Sequence, residues 1–332
     1  MALYTLDGLR DEFMPVLLTP PGPALVEAER LGIRAVPFRN PRDLIRRLRH
    51  LMSEDRPIAF AATGVAHSLL FNFWNFFYRR RAVHLHLVHG GTDERESYGR
   101  KKLLNGKNVT FVAVSEYVRG RLIAHDVNPQ QIVVVGNFLP EGRIKDAPRR
   151  PPFAENGIRN VVVVSRVDPI KRIDLLFDAL DRHPELRNLP VRIFGTGWDL
   201  DLLRNRAQAN HPNVVLEGFS AEVDKMLAGS DLLLHLCPVE PFGLAILEAM
   251  AAGVPVLVPD QGGAADLVEE DVSGFHFRAD DAEDLATTLT KLRQTSAAEL
   301  NRIASAGRDR LLACYSSTAC LENYRKLFSE LL

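Results

Sequence analysis

Twelve short apolar runs, separated by longer segments of helical periodicity, constrain the fold of this chain more than any other feature. They are Pro15–Leu18, Ile33–Val36, Ile58–Ala62, Val83–Val88, Thr110–Val114, Ile132–Val135, Asn160–Val164, Val191–Phe194, Val214–Leu216, Leu232–Leu236, Val256–Val258 and Gly274–Phe277. Most are continuous and rich in Val, Ile or Leu, without the in–out alternation of a half-exposed sheet. That is the pattern of parallel strands buried on both faces. Parallel neighbours require long crossovers, and segments such as Arg172–Arg182 and Leu244–Ala252 supply them as helices. The expected fold class is α/β with open parallel sheets. Residues 140–157, PEGRIKDAPRRPPFAENG, hold four prolines, many charges and no apolar periodicity, and read as a linker. A chain of 332 residues split there makes two α/β units of similar size. Ligands of open α/β sheets sit at the carboxyl ends of strands, so the expected site is the cleft between the two units.

Composition narrows the class. Apolar residues make up 46% and charged residues 25%, which excludes a disordered or fibrous chain. Cys237, Cys314 and Cys320 are too few and scattered for a disulfide framework or a four-ligand zinc site, and a reducing, cytoplasmic compartment is expected. The opening MALYTLDGLRDEF has no basic segment before an apolar run, so no signal peptide is expected. The net charge of −1 hides an asymmetry. Residues 1–150 carry 23 basic and 15 acidic side chains against 18 and 27 in the remainder, a balance of +8 against −9. Attraction between the halves, or an anionic partner of the first, would account for it. Pro57–Phe77 is uncharged and about the length of a membrane span. It contains Thr63, His67, Ser68, Asn72 and Asn75 and a Gly64 turn, so a strand followed by a helix is expected instead. That helix carries Phe71, Phe73, Trp74, Phe76, Phe77 and Tyr78 before Arg79–Arg81. Two readings fit: a helix lying at a bilayer interface, or one buried under the sheet with its basic tip in water.

The densest chemistry lies in Pro238–Gly263, PVEPFGLAILEAMAAGVPVLVPDQGG. A polar loop with Glu240, Pro241, Phe242 and Gly243 separates an apolar strand from a helix expected to start at Leu244. Gly243 allows close backbone approach to a ligand, and the first N–H groups of the helix can bind an anion. Glu248 lies just over one turn in, within reach of hydroxyls beside a bound phosphate; Glu240 reaches a second group. Without further context, a solvated turn with favourable dipole charges would explain both acids. In VVVVSRVDPIKRIDLLFDAL, Arg166 and Lys171 sit on the turn after a buried strand. Two cations there can hold a diphosphate, although positive charge at a helix start is otherwise unfavourable. In VRIFGTGWDLDLL, Gly195 and Gly197 follow a strand and open a helix, with Glu217 further on. This invites a dinucleotide fingerprint, but Leu200 stands at the third glycine position. Asp199 and Asp201 spell a DxD motif, better explained by helix-start dipole complementarity than by a metal. No metal site is expected.

The string EPFGLAILEAMAAGVPV, followed by DQGGAADLV, resembles the signature of retaining GT-B glycosyltransferases of the family 4-like group 1 type, two glutamates with seven residues between them. The resemblance runs over residues 58–330 and is strongest over 160–278. It implies two Rossmann-like domains: residues 1–145 on the acceptor side, 157–312 binding a nucleotide-sugar donor, and a helix over 317–332 packing back on the first. It further implies that Glu248 binds the ribose, that Arg166 and Lys171 hold the diphosphate, and that Phe242, Gly243 and Leu244 contact phosphate and sugar. By the same resemblance Glu240 contacts sugar hydroxyls, His89 completes the sugar pocket, and the Gly195–Gly197 turn with Phe219 lines the nucleotide. The implied reaction is metal-independent sugar transfer with retention, from a UDP- or GDP-sugar to a glycan or lipid-linked acceptor. No cofactor and no nucleic acid are expected; peripheral contact with an anionic membrane is. Three departures stand out. Arg172 replaces the family's glycine after Lys171, and Phe138 follows Asn137 where glycine is usual. The opening segment matches the family's first helix and second strand, as though the first strand and glycine-rich loop were missing. A non-catalytic nucleotide-sugar-binding subunit is the alternative.

Overall fold

The computed structural model describes residues 2–54, 57–78, 82–91 and 93–331. It divides into one unit of residues 1–138 with 317–332, and a second unit of residues 139–316. Each expected apolar run holds a strand, with edges shifted by no more than two residues.

The first unit contains two parallel sheets. Strands β1 (Val16–Thr19) and β2 (Arg34–Pro37) pair with each other and with no other strand among the described residues. Strands β3 (Ile58–Ala62), β4 (Ala82–Val88), β5 (Thr110–Ala113) and β6 (Ile132–Val134) follow in sequential order. Helix Val65–Tyr78 crosses from β3 to β4, so the uncharged stretch is a strand and a helix. No described helix is long and apolar enough to cross a membrane. Arg79–Arg81, read as the basic tip of this helix, lie outside the described residues. Helix Pro41–Ser53, capped by Asn40 through the Asp43 N–H at 2.9 Å, buries Leu48 and Met52 against Phe71. Helix Ser317–Leu331 packs Leu321, Tyr324, Leu327 and Phe328 against Val83, Leu85 and Val112.

The second unit is one six-stranded parallel sheet of β7 (Val161–Val164), β8 (Val191–Phe194), β9 (Val214–Gly218), β10 (Leu232–Leu234), β11 (Val256–Pro259) and β12 (Phe275–Phe277). The order is β12-β11-β10-β7-β8-β9, so the winding reverses between β7 and β10, which pair through Val161–Leu232 and Val162–Leu233. The crossovers leaving these two strands therefore run to opposite faces of the sheet, and their carboxyl ends are where open α/β sheets bind ligands. Helix Ile173–Arg182 buries Ile173, Leu176, Phe177 and Leu180. Helix Leu244–Ala252 is apolar on every side except at Glu248, and is correspondingly buried. It stops at Gly253 in the left-handed conformation, two residues before Pro255. The stretch read as a linker is pinned to this unit. It holds helix Glu141–Lys145; Arg150 pairs with Asp231 at 2.5 Å and stacks 3.3 Å from the Phe153 ring.

Candidate active site at the switch point of the second sheet

Strand β7 delivers a loop with Arg166 and a short 3-10 turn, Pro169–Lys171. Strand β10 delivers the loop from His235 to Gly243 and then helix Leu244–Ala252. The two loops meet: Lys171 Nζ donates to Glu240 Oε2 at 2.5 Å, with both side chains largely buried. The Cys237 thiol donates to the Ile170 carbonyl at 3.2 Å and ties the loops a second time. Arg166 pairs with Asp168 at 2.5 Å but keeps most of its side chain in solvent, so a cation remains available at the mouth.

Burial opposes the charge of Glu240, yet its pKa is held below the ordinary carboxylate value by His235 and Lys171. His235 is itself buried and its pKa pushed down to about 4, so at neutral pH it carries no charge. At neutral pH the Lys171 ammonium and the Phe242 N–H therefore hold the carboxylate in its charged form. A buried pair of this kind contributes little net stability, but loss of one partner strands the other.

Gly243 takes φ 101°, and a Cβ there would meet Ile246 Cδ1 at 2.8 Å. A side chain is excluded by conformation and by space, and the loop turns directly into the helix. Gly262, in the turn after β11, supports the loop from behind. A Cβ on it would stand 2.6 Å from the Pro238 carbonyl, and the next N–H, of Gly263, donates to the Glu240 carbonyl at 2.7 Å. The Gly262–Gly263 pair thus sets the backbone that carries Glu240.

Gly195 and Gly197 are accounted for by packing of backbone on backbone. Their Cβ atoms would fall on the carbonyls of Ser165 and Val167. The β8 loop lies against the β7 loop, with Val167 N–H donating to Thr196 and Asp199 N–H to Val167. Beyond them Trp198 and Phe219 are exposed. Asp199 stands at the start of helix Leu200–Asn210 without a side-chain bond to its N–H groups, Asp201 pairs with Arg204, and Glu217 pairs with Arg192. Arg172, in place of glycine, adopts φ 53° and ψ 33°, the left-handed conformation glycine would take without strain, and pairs with Asp280 at 2.7 Å.

Glu248 has a partner that the sequence did not disclose. Arg143, from the supposed linker, reaches Glu248 Oε1 at 3.1 Å and Asp224 Oδ1 at 2.9 Å. Burial raises the pKa of Glu248; Arg143 opposes that rise and Asp224 adds to it. Arg143 went unread because a charged, proline-rich stretch signals solvent rather than a site. His235 went unread because it lies inside an apolar run. His89, in the first unit, follows β4 and is exposed.

Residues 144–310 match the family described as glycosyl transferases group 1. A poly(ribitol-phosphate) α-N-acetylglucosaminyltransferase of Staphylococcus aureus is 26% identical over 232 residues, 68% of this chain and 45% of that relative. A sulfoquinovosyl transferase of Arabidopsis thaliana is 33% identical over 138 residues, 40% of this chain and 26% of that relative. The chain thus spans less than half the length of these curated relatives. In fold it is similar to Anabaena HepE crystallised with UDP and glucose, with a TM-score of 0.76 and 19% identity over 99% of this chain and 95% of that one. A Rickettsia africae glycosyltransferase gives a TM-score of 0.78 and 18% identity over 99% and 93% of the two chains. The matched residues lie within the second of the two Rossmann-like, GT-B-type units and contain both loops of the crevice and the Glu240–Glu248 signature, and the chain belongs to the glycosyl transferases group 1 family.

Proposed function

We propose that this chain is a glycosyltransferase that moves a sugar from a UDP- or GDP-sugar to a glycan or lipid-linked acceptor, with retention of configuration. The observation that carries the reading is the Lys171–Glu240 contact at the switch point, beside a helix start opened by Gly243. A cation, a carboxylate and a helix N-terminus at one crevice suit a diphosphate joined to a sugar. In this reading Arg166 and Lys171 hold the diphosphate, and the N–H groups of Phe242, Gly243 and Leu244 contact phosphate and sugar. Glu240 accepts from sugar hydroxyls, Glu248 accepts from the ribose, and Gly195, Gly197 and Phe219 line the nucleotide. His89 is assigned to the sugar from resemblance alone. Residues 157–312 form the donor domain, residues 1–145 the acceptor side, and the helix over 317–332 belongs with the latter.

The bond between the anomeric carbon and the diphosphate oxygen breaks, and the acceptor oxygen bonds to that carbon on the same face. The acceptor's proton passes to the departing diphosphate. Arg166 and Lys171 offset the charge developing there, and the reading calls on no metal. The acceptor class is that of polysaccharide or lipopolysaccharide synthesis, reached on the cytoplasmic face of an anionic membrane. The relatives' names and the UDP of Anabaena HepE support the donor class.

The test is titration of the purified chain with UDP-, GDP- and ADP-sugars, following thermal stability and donor hydrolysis together. One nucleotide-sugar is expected to stabilise the protein and to lose its sugar slowly by hydrolysis. Glu248→Ala should weaken that nucleotide about tenfold or more while leaving the fold intact. Unchanged calorimetric affinity would remove Glu248 from the site. Stabilisation of the wild type without release under any acceptor would favour a binding subunit.

A further inference from the structure

The first unit presents a face whose chemistry the transferase reading does not use. On helix Val65–Tyr78, Ser68 and Phe71 are buried, whereas Phe73, Phe76 and Phe77 are 54%, 77% and 61% exposed. The three rings form one ridge, with centroids 5.1 Å apart for Phe73 and Phe77 and 5.5 Å for Phe76 and Phe77. Phe73 also meets Trp74 edge-on at 5.1 Å. Single exposed apolar residues need no explanation; three large aromatics in one ridge do.

The neighbouring helix supplies mostly positive charge, four arginines against Asp43. Helix Pro41–Ser53 turns Leu48 and Met52 inward and leaves Arg42, Arg46 and Arg49 exposed on a common row. The Arg49 guanidinium lies 4.6 Å from the centre of the Trp74 ring, so the basic row runs directly into the aromatic ridge. At its other end the row borders a cavity of about 680 Å³ beside the carboxyl ends of β1 and β2, lined by Arg39, Arg42, Arg46 and Arg47, with Asp43 the one acid on its wall among the described residues. That carboxylate pairs with Arg46 at 2.6 Å and Arg47 at 3.4 Å. Four guanidiniums thus share a single acid, and the surface calls for an anion.

We infer that this face docks the chain on an anionic lipid surface. Phe73, Phe76 and Phe77 enter the boundary between headgroups and acyl chains, and Arg42, Arg46 and Arg49 bind lipid phosphates. Charge complementarity selects this occupant. A second copy related by a two-fold axis would set the same basic row against itself. A soluble protein would have to bury an aromatic core hemmed by cations of one sign. The inference names the surface for the membrane-side reading above, and it stands independently of the donor site.

The test is co-sedimentation of the full chain with phosphatidylcholine vesicles, with and without phosphatidylglycerol. Wild type is expected to bind only the phosphatidylglycerol vesicles, and less tightly as salt rises. Phe73→Ser/Phe76→Ser/Phe77→Ser should bind at least about tenfold more weakly, with an unchanged circular dichroism spectrum. Arg42→Gln/Arg46→Gln/Arg49→Gln should lose the preference for anionic lipid, about fivefold per arginine. Equal binding to neutral vesicles, no vesicle binding, or wild-type behaviour of both variants would overturn the inference. So would a wild-type dimer that the phenylalanine variant dissolves in the absence of lipid. Vesicle binding without nucleotide binding would instead sink the transferase reading and leave this one standing.

Discussion

Lys171 and Glu240 show at single-residue scale why a functional pair is difficult to dissect. Each is buried against the other, so Lys171→Ala removes a cation from the crevice and also leaves a carboxylate uncompensated. The variant should lose tens to hundreds of fold in turnover and on the order of 3 kcal/mol in stability. Lys171→Met/Glu240→Gln should recover most of the stability and none of the turnover. Urea melts and donor hydrolysis on the same samples separate the two effects; recovered turnover in the double variant would place neither residue in the mechanism. Arg172 makes a purely structural case. Its left-handed backbone costs roughly 1 kcal/mol, which glycine would not incur, while the exposed pair with Asp280 contributes less. Arg172→Gly should therefore melt at or above the wild-type temperature, and Arg172→Val, β-branched in the same conformation, several degrees below it. Equal melting of the two would show that the left-handed turn is not strained.

At the scale of elements, β4 and helix Val65–Tyr78 are joined by a buried polar chain. Ser68 Oγ lies 2.9 Å from His84 Nε2 and 2.8 Å from His86 Nδ1, and His84 Nδ1 lies 3.1 Å from Asn72 Oδ1. Burial pushes the pKa of His84 down to about 4 and that of His86 to about 3, from an ordinary 6.5. Below 6.5 the unfolded chain takes up protons that the folded chain refuses, so stability is complete above that pH and falls as pH drops toward 4. The slope approaches about 1.4 kcal/mol per pH unit for each imidazole. Urea midpoints at pH 7 and pH 5 should differ accordingly, and His86→Gln should flatten the difference. A wild-type midpoint independent of pH would mean that these histidines are protonated in the fold. The same element shows how far sequence carried. A strand and a helix were legible in Pro57–Phe77, because interrupting polar residues and Gly64 rule out a span. Which ring faced the core was not legible, since aromatics occupy nearly every side of the helix; Phe71 is selected by Leu48 and Met52 of helix Pro41–Ser53 and by Phe60 of β3, on which it stacks at 4.1 Å.

Across the whole molecule, two units with separate cores should respond to ligand separately. At a hundredfold excess over its dissociation constant, a nucleotide stabilises the state that binds it by about 2.7 kcal/mol. Hydrogen exchange should then slow within residues 139–316, most of all around β7 and β10, and remain unchanged in helix Val65–Tyr78. Protection confined to the first unit would relocate the nucleotide. Most of the architecture needed no coordinates. Continuous Val, Ile and Leu runs bury strands on both faces, and a crossover helix must follow each parallel strand. Gly243 and the glutamate spacing marked the crevice because close approach and helix N–H groups are properties of local sequence. What required the tertiary structure was everything set by long-range pairing. The reversal between β7 and β10 brings Lys171 onto Glu240, and the Gly262 turn behind them fixes that loop. The stretch resembling a linker folds back to place Arg143 on Glu248. Periodicity reports which residues leave water, but a contact between residues a hundred positions apart is decided by packing energy, to which local pattern is blind.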